Sequence, residues 1–152
     1  MDMGGEERIA APREVVWQAL NDPEILRQCI PGCQSLEQKS PTELAATVKL
    51  KIGPVSASFT GEVTLSDINP PESYTISGEG KGGIAGFAKG SASVTLVEDG
   101  ADTLLRYATK AQVGGKIAQL GSRLIDSTSQ KLATQFFADF SKAVVARADG
   151  QA

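Results

Sequence analysis

Gly114-Gly115-Lys116-Ile117-Ala118-Gln119-Leu120-Gly121, followed by SRLIDSTSQKLATQFFADFSKAVVARAD over 122–149, is the stretch that decides the fold. Ile117, Leu120, Leu124, Thr128, Leu132, Phe136, Phe140 and Val144 recur close to one stripe at helical spacing. Lys116, Arg123, Asp126, Lys131, Asp139 and Lys142 fall mostly off it. No Pro or Gly interrupts 122–149, so the spacing predicts a helix of about thirty residues, roughly 45 Å long. A helix that long must lie across a sheet to bury its stripe. Gly114-Gly115 reads as the joint that turns it back over the sheet. The free amides of a helix start there also offer a place for an anion.

Upstream of that joint the period is two. Leu44, Ala46, Val48, Leu50 and Ile52 alternate with Glu43, Ala45, Thr47, Lys49 and Lys51, giving a strand with one wet face. After Gly53-Pro54, Ala57, Phe59, Gly61, Val63 and Leu65 alternate in the same way. Asn69-Pro70-Pro71 is a turn. Further strands are predicted around Tyr74–Gly78, over Ala88–Val97, and over Asp102–Val113. Short turns between them mean antiparallel pairing.

The N-terminal part holds a first strand over 5–10 and two short helices. Pro12 pre-sets a helical turn that runs to Leu20, and Asp22-Pro23 caps and starts a second helix that ends near Cys29. Trp17 is expected to pack near Phe136 and Phe140 of the long helix. The fold class is α+β: a curved antiparallel sheet wrapped around a long C-terminal helix, with two short helices after the first strand. A single domain over 1–148 with a short tail at 149–152 is expected.

At 152 residues the chain suits one such domain. There is no histidine. That excludes Ser-His-Asp and Cys-His nucleophile systems and histidine metal triads. The net charge of −3 provides no overall basic field for nucleic acid. Charge is uneven, however: residues 1–109 carry nine basic against fifteen acidic side chains, and 110–152 carry six against three. The basic C-terminal part is either the solvated face of a helix or a surface for an acidic partner or anionic headgroups. Residues 1–8 are acidic and lack an apolar run, and no stretch is apolar enough for a membrane span, so a cytoplasmic protein is expected. Cys29 and Cys33 lack companion ligands for zinc and are expected as free thiols.

Residues 78–90 contain Gly78, Gly80 and Gly83 in the spacing of a dinucleotide fingerprint. That motif needs a helix after it, and here another strand follows. The stretch reads instead as a glycine-rich hairpin with Ile84 and Phe87 at its tip. These two either form a lip over a cavity, contact a partner, or fold inward as core. The inward faces of the strands carry many small residues, including Ala46, Ala57, Gly61, Gly78, Ala92 and Ala111. With only eight aromatic residues, five of them Phe, such a core either closes tightly or holds a cavity.

Ala11-Pro12 with Val16-Trp17 and Leu20, Asp22-Pro23, and Cys29-Ile30-Pro31-Gly32-Cys33 resemble the G-subunit family of carbon monoxide dehydrogenase. So do Lys51-Ile52-Gly53-Pro54-Val55 with Phe59 and Gly61, the Gly82-Gly83 and Gly86-Phe87 hairpin, and Gly114-Gly115-Lys116 leading to Leu120-Gly121. The resemblance covers nearly the whole chain. It implies a helix-grip fold similar to the START and Bet v 1-like superfamily. It also implies a non-catalytic accessory protein of a molybdenum-containing hydroxylase of the carbon monoxide dehydrogenase type. Such a protein would hold a quinone, lipid or other hydrophobic small molecule and help recruit the enzyme to the membrane. The molybdenum cofactor and iron–sulfur clusters would belong to the partner subunits, so no cofactor is expected in this chain. Many relatives carry a further apolar tail; this sequence ends at Asp149-Gly150-Gln151-Ala152.

The ligand-lining residues expected are Val48, Phe59, Ile76, Ile84, Phe87, Tyr107, Leu120 and Leu124, with Tyr107 as the hydrogen-bond donor to a ligand carbonyl. The N-terminal half of the long helix is expected to face the cavity. The alternative is an enzyme of the same superfamily, a cyclase, dehydratase or hydrolase. It would need a convergent acid–base pair inside the cavity.

Overall fold

In the computed structural model, which describes residues 2–150, seven strands form one antiparallel sheet. β1 spans Asp2–Ile9; two helices follow, α1 (Arg13–Leu20) and α2 (Pro23–Cys29). The remaining strands are β2 (Cys33–Ser40), β3 (Glu43–Ile52), β4 (Val55–Asn69), β5 (Ser73–Lys81), β6 (Phe87–Asp99) and β7 (Asp102–Gly114). α3 covers Ser122–Gly150 and so continues past residue 148, where the tail was expected to begin. Residues 151–152 of that tail lie outside the described residues.

The strand order is β1-β7-β6-β5-β4-β3-β2, so the first strand pairs with the last. β2 to β7 follow one another as hairpins, as the short turns required. β2 itself is the strand that alternation does not reveal. Its residues CQSLEQKS offer Leu36 alone as an apolar side chain between its ends. It is an edge strand with irregular pairing at both ends, held by its hydrogen bonds to β3 rather than by a buried face.

The short helices obey local chemistry. The Asp22 side chain accepts from the Glu24 N–H at 2.9 Å, with Pro23 in the first turn. Pro12 stands just outside α1 as its cap residue, with ψ 151°, rather than inside the first turn. Asp22 also meets Arg147 of α3 at 3.1 Å, which ties the α1–α2 corner to the far end of the long helix. The fully buried Thr103 hydroxyl donates to the Ala11 carbonyl at 2.8 Å, fixing the β1–α1 corner to β7.

Two solid clusters close the ends of the grip. The larger joins Val16 and Leu20 of α1 to Leu96, Leu105, Phe140 and Val144. Trp17 packs on this cluster, with its ring edge-on to Tyr74 at 5.2 Å. The smaller cluster is Phe59, Ala85 and Ile117, at the hairpin end. There the joint before the long helix is built from glycine for two reasons. Gly115 has φ +81°, and a Cβ on it would lie 2.5 Å from the Gly86 Cα. Only a side-chain-free residue permits both the left-handed turn and the approach to the hairpin. Residues 116–120 form a 3-10 turn, and Gly121, with φ +92°, separates that turn from α3.

Candidate functional site

Between the two clusters the sheet and α3 leave space between them. A cavity of about 570 Å³ lies there, and a second lobe of about 370 Å³ adjoins it toward the hairpin end. Val48, Leu50, Val63 and Leu132 line both. The smaller lobe exists because the sheet beneath it presents Ala46, Gly61, Gly78, Gly80, Ala88 and Ala111. These small side chains on adjacent strands cannot reach the helix. The larger lobe is walled by Ile76, Val94 and Leu105 from the sheet and by Ala133, Phe136 and Phe137 from α3. Gln38 and Pro41 also line it and are exposed, so it reaches the surface along the β2 edge.

Among the described residues no charged side chain lines the larger lobe. Its polar groups are few. Asn21 Nδ2 already donates to the Trp17 carbonyl at 2.9 Å, and the Thr109 hydroxyl to the Met3 carbonyl at 3.0 Å. Tyr107 stacks on Phe137 with centroids 5.1 Å apart, and its hydroxyl lies over the backbone of Gly5 at the sheet edge. Burial, and secondarily the charge of Glu7, raise its pKa. Tyr74 is different. It is 3% exposed, and its phenol has no hydrogen-bond partner among the described residues. Burial alone pushes its pKa well above the usual phenol range. It lines the larger lobe, where a bound molecule is the available partner.

The structure brings together half of the residues named from sequence. Val48, Phe59, Ile76 and Tyr107 line the cavity. Ile84, Phe87, Leu120 and Leu124 line neither lobe. Ile84 is 91% exposed at the hairpin tip, and the half-exposed Phe87 ring lies over Gly114. Leu120 packs on the Phe59 cluster, and Leu124 lies against Gly53. On α3 each step of four residues drifts about 40° around the axis, so Leu124 lies nearly opposite Phe140 and Ile125 is the first buried residue of the helix. The smaller lobe faces the N-terminal half of α3, at Ile125, Thr128, Ser129 and Leu132, and the larger lobe faces its middle, at Leu132, Ala133, Phe136 and Phe137. The small Ala133 beside Leu132, Phe136 and Phe137 is the sequence signal that could have pointed to the larger lobe.

The remaining motifs are resolved simply. Gly78 and Gly80 lie within β5, and a 3-10 turn (Gly83–Ala85) and a strand follow, not a helix. Cys29 and Cys33 are free thiols. Among the described residues no three His, Cys, Asp or Glu side chains are grouped to hold a metal, and no helix is long and apolar enough to cross a membrane.

A curved seven-stranded sheet gripping a long helix around an apolar cavity defines a helix-grip protein of the START and Bet v 1-like kind. Residues 5–145 match the family of the carbon monoxide dehydrogenase G subunit (CoxG), and the chain belongs to that family. A conserved protein of Geobacillus kaustophilus has a crystal structure similar to this fold. The TM-score is 0.90 at 31% identity, over 95% of each chain. A START superfamily protein of Mycobacterium smegmatis is 18% identical over 99% of each chain, with a TM-score of 0.65. The Zhui aromatase/cyclase of Streptomyces sp. R1128 is 10% identical over 97% of this chain and 94% of its own, with a TM-score of 0.68. At those identities the last two speak for the fold alone. No protein with a curated description matches the sequence significantly.

Proposed function

We propose that the protein is a non-catalytic accessory of a molybdenum hydroxylase of the carbon monoxide dehydrogenase type. It carries a hydrophobic small molecule, such as a quinone or lipid, between sheet and α3, and helps recruit the enzyme to the membrane. The observation that carries the ligand part is the 570 Å³ lobe, which falls in the usual range for small-molecule sites and has an uncharged lining. The family supports the enzyme partner. In this reading Val48, Ile76, Phe136 and Phe137 hold the apolar body of the ligand. Tyr74, rather than Tyr107, donates to its oxygen, because the Tyr107 hydroxyl is drawn to the Gly5 edge.

An enzyme of the same fold would need an acid and a base facing one another in the cavity. The larger lobe supplies two phenols and no carboxylate among its lining residues, which supports a carrier. Glu62 and Glu79 border the smaller lobe, opposite each other on β4 and β5, but both are exposed. Native mass spectrometry of the purified protein, with organic extraction of whatever is bound, tests the carrier. A co-purifying apolar molecule with an acceptor oxygen is the expected result. An empty cavity that rejects quinones and lipids added back removes the proposal.

A further inference from the structure

We infer that the hairpin end of the molecule, with Ile84 at its apex and Lys51, Lys81 and Lys116 around it, is a docking surface for an anionic lipid bilayer. This names the surface through which the proposed recruitment acts, and it rests on that reading.

Three segments meet at this end. The β3–β4 turn closes at Ile52 and Val55, and its Gly53 lies against Leu124 at the start of α3. The β5–β6 hairpin pairs Lys81 with Phe87, and the Gly82 N–H donates to the Gly86 carbonyl at 2.8 Å. Gly86 in turn packs on Gly114 and Gly115, directly before Lys116. The tip is firmly seated, because Ala85 is 3% exposed in the Phe59 and Ile117 cluster. That seating leaves its neighbour Ile84 91% exposed. Phe87 beside it is 39% exposed.

A single exposed isoleucine needs no explanation by itself. Its surroundings are what point to a partner. Segments 46–61, 80–88 and 113–125 carry Lys49, Lys51, Lys81, Lys116 and Arg123, and no Asp or Glu, in a chain whose net charge is −3. All five cations are exposed. None is in an ion pair among the described residues, whereas Arg8, Arg13, Arg27, Arg106 and Arg147 all are. Five of the ten cations without an ion pair among the described residues thus gather around the most exposed large apolar side chain, in segments free of acidic residues.

A bilayer fits this arrangement better than an acidic protein face. A stable protein interface covers about 800 Å² per partner and has an apolar centre. Here the apolar element is a protruding side chain with a half-exposed ring behind it. A bilayer accepts such a protrusion without shape complementarity, while cations settle among anionic headgroups.

Co-sedimentation of the full-length protein with vesicles tests the inference. Phosphatidylcholine vesicles should bind weakly, and equimolar phosphatidylcholine and phosphatidylglycerol vesicles should bind well, with binding lost as salt rises. Each cation is worth about fivefold in partitioning, so Lys51→Glu, Lys81→Glu and Lys116→Glu together should weaken binding by a hundredfold or more. Ile84→Ser should weaken it about tenfold. Lys131→Glu with Lys142→Glu, exposed on the distal part of α3, should change it little. Failure of the wild type to sediment with anionic vesicles overturns the surface, as does an equal loss in the α3 control. So does a triple variant that loses only capture of an acidic protein. Native mass spectrometry on the same samples separates the two readings. Protein that holds its ligand yet ignores vesicles overturns the docking surface, and protein that binds vesicles with a permanently empty cavity overturns the carrier.

Discussion

The ring of Trp17 stands edge-on to the ring of Tyr74, with centroids 5.2 Å apart and planes at 71°. Trp17 comes from α1 and Tyr74 from β5, so a helix outside the sheet holds the one buried phenol of the cavity in place. Such edge-to-face pairs contribute about 1 kcal/mol beyond area burial. The positioning of the cavity's main polar group thus depends on a residue that does not line it.

Tyr74→Phe separates ligand recognition from stability. The empty protein should be about as stable as the wild type, since the change removes a hydroxyl that opens onto the cavity and makes no hydrogen bond to the protein among the described residues. Affinity for a quinone should fall roughly fivefold to tenfold, the value of one hydrogen bond. Affinity for a hydrocarbon of the same shape should not change. Isothermal titration with the matched pair, alongside urea denaturation, reads both effects.

Ala133→Leu places a larger side chain in the lobe from the α3 side. Filling unused apolar space should leave the melting temperature unchanged or raised, by up to about 1 kcal/mol of stability. Ligand affinity should drop more than tenfold through lost space. Thermal melts and displacement of a fluorescent apolar probe check the two outcomes; a parallel loss of both would mean that the lobe is not where the ligand sits.

Asp22 has two roles, capping α2 through Glu24 and pairing with Arg147. Asp22→Ala should therefore cost about 1–2 kcal/mol, most of it from the lost cap. Arg147→Ala should cost less than about 1 kcal/mol, because the pair is roughly a third exposed and screened by solvent. Urea midpoints for the two single variants and the double variant resolve the order.

The thiols offer a chemical test. Burial raises the pKa of both Cys29 and Cys33, and Asp139 adds to the effect at Cys29. Since the thiolate is the nucleophile, alkylation of folded protein should be slow at neutral pH and still accelerating above pH 9. Cys33, partly exposed, should react first, and the buried Cys29 should react only as the protein opens. Mass-resolved iodoacetamide labelling across a pH series measures the order.

The strands with strict alternation, β3 and β4 above all, were legible in the sequence, and so was the long helix. What escaped was set by tertiary pairing or by phase. β2 has no apolar rhythm because an edge strand needs none. Leu120 and Leu124 were assigned to the lining because the stripe was stepped by four throughout, which drifts around a helix, and was drawn through Gly121, whose φ of +92° separates Leu120 from α3. Tyr74 and Tyr107 both fall on inward positions of their strands. Which phenol faces an empty space depends on Gly5, across the sheet from Tyr107, a relation between residues 102 positions apart in sequence.

The pairing of β1 with β7 governs when this protein can exist at all. Asp2–Ile9 leaves the ribosome long before its partner strand, which begins at Asp102. Until then β1 has no ladder, and until α3 follows the sheet has no cover. Consolidation of the grip is thus postponed until α3 has been made. With mostly sheet contacts and this long closure, refolding is expected in milliseconds to seconds rather than microseconds. A nascent chain halted before β7 would keep its apolar strands uncovered, in the care of chaperones.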